Sequence, residues 1–402
     1  MPNLFDTLRE RGFVYQVSDE DALRHLLDQP ITLYCGFDPT APSFHAGHLM
    51  GIMLLAWFQR AGHRPIALMG GGTALVGDPS GTTTVRRVLP REEIDANLPA
   101  LQRQMRQFLD FSEGRALMAN NADWLTKLNY IEFLRDIGRH FSVNQMLAAE
   151  AYKTRLEAGL NFVEFNYMLV QAYDFLHLSR EYGCVLQTGG SDQWSNILAG
   201  ADLIRREDQR PALALVHELL TTASGAKMGK TEGGALWLDA ERTSPFDFYQ
   251  YWINTEDPDV PRFLRLFTFL PMEQIDELAR LEGAGLRTAK EVLAFEVTAI
   301  VHGREASQKA QDAARALFGG GGGGAAAAVP SFDVESARLE AGIAVHELFA
   351  DAFGRSRREA REIIQAGGCY FEGEAVKPGQ MIAREGMLRW GQKHHRMLRA
   401  RL

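Results

Sequence analysis

The chain reads as an α/β protein: a doubly wound parallel sheet, then a helical domain, then a small α+β domain. Three observations predict this. First, short β-prone runs at 31–35, 65–69, 116–119, 183–187 and 211–220 alternate with helix-patterned stretches at 49–61, 91–109, 130–139, 161–182 and up to Arg206. That alternation is the mark of a parallel sheet with crossover helices. Second, residues 242–318 are helix-patterned throughout, with Pro245, Pro258, Pro261 and Pro271 as breaks. Third, six glycines and four alanines at 319–328 make a linker, flexible at least in its glycine half, and beyond it come only short helices and strands. The expected division is therefore 1–220 for the sheet domain, 221–318 for the helical domain, 319–330 for the linker and 331–402 for the tail domain. No Gly-x-Gly-x-x-Gly fingerprint opens the first helix, which argues against a dinucleotide oxidoreductase.

The totals narrow the class. A chain of 402 residues, 46% apolar, can bury a large core. No apolar run reaches membrane-spanning length and the N-terminus lacks a basic-then-apolar leader, so a cytoplasmic protein with no membrane partner is expected. Cys35, Cys184 and Cys369 are far apart and odd in number, which excludes a disulfide framework or a cysteine-based zinc site. The net charge of −8 is unevenly spread. Residues 341–402 hold eleven Lys/Arg against seven Asp/Glu, an excess of +4 that leaves −12 on the rest. Polyanion contact is therefore expected at the tail.

The most informative stretch is Tyr34-Cys-Gly-Phe-Asp-Pro-Thr-Ala-Pro-Ser-Phe-His-Ala-Gly-His48. It reads as strand, irregular turn, helix. His45 and His48 share one face at the helix start, where free N–H groups and the dipole favour an anion. They could cap the helix and do nothing else. A metal half-site is less suited, because the spacing is not i, i+4 and no Glu adjoins it.

Glycines after the second strand, Gly70-Gly-Gly and Gly77-Asp-Pro-Ser-Gly, let a ligand approach the backbone. In 161–182, read as one helix, Tyr167, Gln171 and Asp174 fall at i, i+4 and i+7 among apolar neighbours. The stripe is either a solvated face or the polar lining of a buried pocket. Asp192, at the start of the next helix, is either an N-cap or a ligand for a ribose hydroxyl. The glycine-rich loop Ser224-Gly-Ala-Lys-Met-Gly-Lys-Thr carries Lys227 and Lys230, either solvated charges or cations for a polyphosphate. In the tail, Arg355, Arg357, Arg358 and Arg361 gather at one helix start, and residues 389–401 contain no acid. They form either a solvated basic face or a phosphate-binding one.

His45-Ala-Gly-His48 resembles the HIGH signature of class I aminoacyl-tRNA synthetases, and Lys227-Met-Gly-Lys-Thr231 the KMSKS signature, in the same order. The whole run from Tyr34 resembles the bacterial-type tyrosyl-tRNA synthetase family, and the tail resembles an S4-type RNA-binding module. The resemblance implies a Rossmann-like catalytic domain, tyrosine activation by ATP with magnesium, pyrophosphate release and tyrosyl transfer to the 3′ end of tRNA(Tyr), by a homodimer. By motif, Tyr34 and Asp174 would hold the substrate phenol; Asp78, Tyr167 and Gln171 its ammonium; Gln187 and Gln193 would complete that pocket. Cys35, Gly36, Asp38, Gly47, Gly190 and Asp192 would meet the nucleotide. Thr40, His45 and His48 would stabilise the reacting phosphate, with Arg86, Lys227, Lys230 and Thr231 on the pyrophosphate. The four arginines of the tail would contact RNA, and no tightly bound metal is expected.

The chain departs from the family pattern in places. Ala46 replaces an apolar residue of HIGH, Gly229 and Thr231 replace the serines of KMSKS, and Thr82, Thr83 and Thr84 stand where a lysine is common. Two rivals share some of the signals: a tryptophanyl-tRNA synthetase, and a catalytically idle RNA-binding protein on the same scaffold. The first would have no use for a Tyr34/Asp174 pair; the second would not need both histidines and both lysines.

Overall fold

The computed structural model describes residues 3–80, 89–225, 228–231, 234–318, 329–391 and 394–401. The chain packs as two compact units, one made of 1–239 with 256–277 and the other of 240–255 with 278–402.

The first unit is built on a six-stranded sheet. Its strands are β1 (Gln16–Val17), β2 (Thr32–Phe37), β3 (Arg64–Met69), β4 (Leu117–Asn120), β5 (Cys184–Gly190) and β6 (Leu213–His217). Their spatial order is β1-β6-β5-β2-β3-β4, with all pairs parallel except β1 against β6. β2, β3 and β5 are nearly continuous buried runs, as strands covered on both faces must be. The order reverses between β5 and β2, so the crevice outside their carboxyl ends is the natural ligand site of such a sheet.

Helices Leu49–Arg60 and Tyr167–Tyr182 both pack against the sheet. The first buries nearly every residue from Leu49 to Phe58, and the second buries Met168, Leu169, Phe175, Leu176 and Leu178. Tyr34 meets Phe175 edge to face at 5.4 Å.

One expected helix is two. Asn161 caps a short helix, Phe162–Phe165, in a reciprocal arrangement with Glu164, and Asn166 ends it before Tyr167–Tyr182 begins. The amide of Asn166 bonds the carbonyl of Phe162 at 2.7 Å, the local competition with the helix ladder that Asn favours.

In the second unit, helices Pro245–Ile253, Leu286–His302 and Arg304–Phe318 pack together. A five-stranded sheet orders Glu374–Ala375, Cys369–Phe371, Gly386–Trp390, His394–Arg401 and Ser331–Glu335. Helices Val345–Phe353 and Arg357–Gln365 cover one separate core that includes Leu348, Phe349, Ile364, Leu388 and Leu398. Arg396 of that sheet pairs with Asp247 at 3.0 Å. The glycine–alanine stretch 319–328 lies outside the described residues.

Candidate active site

At the carboxyl end of β2 the chain turns through Asp38 and Pro39 into the 3₁₀ turn Ala46–His48, which runs on into the helix Leu49–Arg60. The histidines do cap this start. His45 Nδ1 accepts the N–H of Gly47 at 3.1 Å, and His48 Nδ1 accepts the N–H of His45 at 3.1 Å. Because a backbone N–H can only donate, each neutral ring carries its proton on Nε2. The caps thus consume two of the free backbone donors and replace them with two imidazole N–H groups. The rings lie 4.0 Å apart, and burial beside His45 pushes His48 down to about 3. His48 is therefore a neutral hydrogen-bond donor across the physiological range.

The glycine-rich loop reaches the same place. Leu236 accepts the N–H of Ala46 at 2.8 Å, and Leu238 donates to Phe44 at 2.9 Å, so 236–238 form a short antiparallel bridge with 44–46. Leu236 also donates to Gly229 at 2.7 Å. Gly229 has φ +76, and a Cβ there would stand 3.0 Å from the Ala46 Cβ and 3.3 Å from the Gly47 nitrogen. Glycine at 229 lets one loop backbone lie on the other. Lys230–Thr231 pairs with Gly234–Ala235. Lys227 and Arg86, with Thr82 to Thr84, lie outside the described residues.

Deeper in the crevice, Tyr34 and Gln187 are register partners on β2 and β5, so they face the same side of the sheet. The Tyr34 hydroxyl and Gln187 Oε1 are both buried with no hydrogen-bond partner among the described residues. Each such orphan costs about 1–3 kcal/mol until something meets it. Asp174 is also buried. Its carboxylate accepts Trp124 Nε1 at 2.7 Å and Asn121 Nδ2 at 2.8 Å. Burial still dominates and pushes it up to about 8. A carboxylate offers about four lone-pair sites, so two remain. Asn121 in turn takes the N–H of Gly72 at 2.7 Å and donates to Thr73 Oγ1 at 3.0 Å. Trp124 stacks on His177 at 4.2 Å.

Asp78 accepts Gln193 Nε2 at 2.7 Å and the N–H of Ser80 at 2.8 Å. Asn196, almost wholly buried, donates to Gln171 Oε1 at 3.1 Å and lies 3.3 Å from both Gln193 Oε1 and Ser80 Oγ. One amide thus sets the orientation of two of the expected pocket residues. The Tyr167 hydroxyl donates to Asp38 Oδ2 at 3.3 Å, and Thr73 Oγ1 donates to Asp38 Oδ1 at 2.8 Å. Gly70 allows this: a Cβ there would fall on Asp38 Oδ1.

At the open side, Thr40, Gly36 and Gly47 are exposed, and space lies free beside Gly36. Cys35 is buried, which pushes its thiol up to about 12. Asp192 is not a cap: it sits within the turn Ser191–Gln193, and Gln193 is the residue at the start of the helix Trp194–Asp208. A Cβ at Gly190 would lie 2.5 Å from Asp192 Oδ1. Sequence reasoning missed Thr73, Asn121, Trp124, Asn196 and Trp237, whose ring lies 6.1 Å from that of His45. The signal that could have found Asn121 and Trp124 is polar residues just beyond the carboxyl end of β4.

In the second unit, Ser356 caps the helix Arg357–Gln365. Arg357, Arg358 and Arg361 are exposed and Arg355 is half-buried. Arg357 pairs with Glu347 at 3.3 Å and Arg358 with Glu362 at 2.9 Å.

A crevice at the switch point of a parallel sheet, with paired histidines at a helix start and a glycine-rich loop bridged to them, is the arrangement of one class of enzyme. Residues 27–319 match the family of class I tRNA synthetases for W and Y, and the chain belongs to it. Relatives matched over nearly the full length of the chain are tyrosine–tRNA ligases. It is 53% identical to a tyrosine–tRNA ligase of Caldanaerobacter subterraneus subsp. tengcongensis, over 98% of this chain and 99% of that one. It is 51% identical to a tyrosine–tRNA ligase of Clostridium botulinum, over 96% and 94%. Among solved structures, a C-terminally truncated mitochondrial tyrosyl-tRNA synthetase of Aspergillus nidulans is 31% identical, with a TM-score of 0.71 over 79% of this chain and 95% of that one.

Proposed function

We propose that this chain is a tyrosine–tRNA ligase of the bacterial type. It joins L-tyrosine to ATP, releases pyrophosphate, and passes the tyrosyl group to the 3′ end of tRNA(Tyr). The observation that carries this reading is the buried polar floor of the crevice. An unpartnered tyrosine hydroxyl and a buried carboxylate, Tyr34 and Asp174, call for a ligand with a hydroxyl at its far end. Tryptophan would leave that floor unsatisfied.

Phenol binding falls to Tyr34 and Asp174, with Asn121 and Trp124 holding the carboxylate in place. Asp78, Tyr167 and Gln171 take the ammonium, and Gln187 and Gln193 complete the pocket. Cys35, Gly36, Asp38, Gly47, Gly190 and Asp192 border the nucleotide. No covalent nucleophile is required, because the tyrosine carboxylate itself attacks the α-phosphate of ATP. Catalysis then rests on positioning and on donors aimed at the growing negative charge. The Nε2–H groups of His45 and His48 are two such donors, with Thr40 beside them and Arg86, Lys227, Lys230 and Thr231 on the pyrophosphate. Among the described residues no group of three His, Cys, Asp or Glu is arranged to hold a metal ion. Magnesium would arrive on the ATP phosphates, which suits an ion that dehydrates reluctantly.

The ligase works as a homodimer in the cytoplasm. Tyr130, Ile131, Val143, Leu156, Phe162 and Val163 are large apolar residues left 45–69% exposed within one short stretch of chain, a concentration that marks an interface. The tail, 331–402, serves as the S4-like RNA-binding domain through Arg355, Arg357, Arg358 and Arg361. ATP–pyrophosphate exchange with each proteinogenic amino acid in turn tests the reading. Exchange driven by tyrosine alone is expected; exchange driven by tryptophan, or none at all, refutes it.

A further inference from the structure

A cavity of about 700 Å³ lies away from the crevice. The helix Leu49–Arg60 leads into the amino end of β3, and the turn after the helix Arg91–Met105 leads into β4. The cavity lies where those two helices end, closed on one side by Phe269. It therefore opens at the amino edge of the sheet, opposite the proposed active site.

Its lining is unusual for a surface hollow. Arg60 and Arg106 are both exposed, and neither has a carboxylate partner among the described residues. Arg115, Arg180 and Arg205, by contrast, all sit against acids. Each unpaired guanidinium lies over an aromatic face, Arg60 at 4.4 Å from Phe269 and Arg106 at 5.3 Å from Phe111. Stacking fixes the plane and leaves the N–H edges free, the geometry that suits bidentate phosphate binding. The one carboxylate in the lining, Asp110, is already engaged by Ser112 at 2.8 and 2.6 Å and by Arg115 at 3.0 Å. Gln59 is also spent, holding the backbone of Asp110 by two bonds of 2.7 and 2.9 Å, which fasten one wall to the other. Ala56, Phe108 and Leu109 complete an apolar side. A volume of this size matches a small ligand rather than a single ion.

We propose that this cavity is a second nucleotide site, where Arg60 and Arg106 grip the phosphate of a nucleoside monophosphate and the apolar wall receives its base. Equilibrium dialysis of the full chain with AMP, with and without Arg60→Ala/Arg106→Ala, tests it. The unaltered protein should bind one more AMP per chain than the double variant, and inorganic phosphate should displace that AMP. Each single substitution should weaken it roughly ten- to a hundredfold, as loss of a charged hydrogen-bonding partner does. Tyrosine-dependent pyrophosphate exchange of the double variant should be unchanged, since neither arginine lies in the crevice. Equal stoichiometry in the two proteins overturns the site. So does an additional AMP that inorganic phosphate fails to displace in the unaltered protein, a result independent of how well the variants fold.

Discussion

At the scale of single residues the pocket floor makes two sharp predictions. In the proposed complex the Tyr34 hydroxyl meets the substrate phenol. Tyr34→Phe should then lower the tyrosine-over-phenylalanine ratio of kcat/KM by roughly two- to tenfold, the worth of a neutral hydrogen bond, and leave ATP binding alone. An unchanged ratio removes Tyr34 from specificity. Asp174 gives the second. Burial raises its folded-state value from 3.8 to about 8. Between those values the folded protein binds a proton that the unfolded chain does not, so this group's contribution to stability falls as pH rises through the window. A phenol donates best to the ionised form, so tyrosine affinity should climb between about pH 6 and 8, and Asp174→Asn should flatten the climb. Calorimetric titrations across that range check it, and a flat profile in the unaltered protein contradicts it. Of the two readings of the Tyr167, Gln171 and Asp174 stripe, the buried one holds, and it was legible because those polar residues recur within an apolar helix. Asn121, Trp124 and Asn196 were not, since they act on other pocket residues and share no spacing with them. Asp192 stood open between a cap and a ribose ligand, and the structure sets the cap aside because the turn Ser191–Gln193 intervenes before the helix Trp194–Asp208.

Among elements, the parallel sheet and the helix after β2 followed from alternation alone, because buried parallel strands announce themselves as apolar runs; the order of the strands did not. The break at Asn166 was hidden by an apolar pattern that continues across it. Also hidden was the bridge between 44–46 and 236–238, which joins segments about two hundred residues apart in sequence and is held by main-chain bonds. It gives meaning to Gly229. An L-residue there would bear the left-handed backbone strain of roughly 1–2 kcal/mol and press on Ala46. Gly229→Ala should therefore cut kcat for tyrosine activation by roughly five- to thirtyfold with little change in the KM for tyrosine. Stopped-flow measurement of adenylate formation checks this; an unaltered rate means that the two loops need not lie together.

On the scale of the whole molecule, charge and the linker mark the tail as a module in the sequence, whereas the structure groups it with the preceding helices in one compact unit. Its docking on the helix Pro245–Ile253 through Arg396 and Asp247 was not legible, since nothing local marks that pairing. For that reason point substitutions probe the tail better than deletion. Replacing Arg357, Arg358 and Arg361 by Ala should raise the KM for tRNA by an order of magnitude or so, flatten its salt dependence, and leave pyrophosphate exchange intact. The proposed dimer is tested by Phe162→Glu, which places a charge in the exposed apolar stretch; light scattering should report a dimer for the unaltered chain and a monomer for the variant.

The central claim, that this is a tyrosine–tRNA ligase, meets its most direct test in transfer of labelled amino acid to purified tRNA(Tyr). Tyrosine should be attached in an ATP-dependent reaction, and phenylalanine and tryptophan should not. Charging with tryptophan, or tyrosine-dependent exchange without any transfer to that tRNA, would contradict the account.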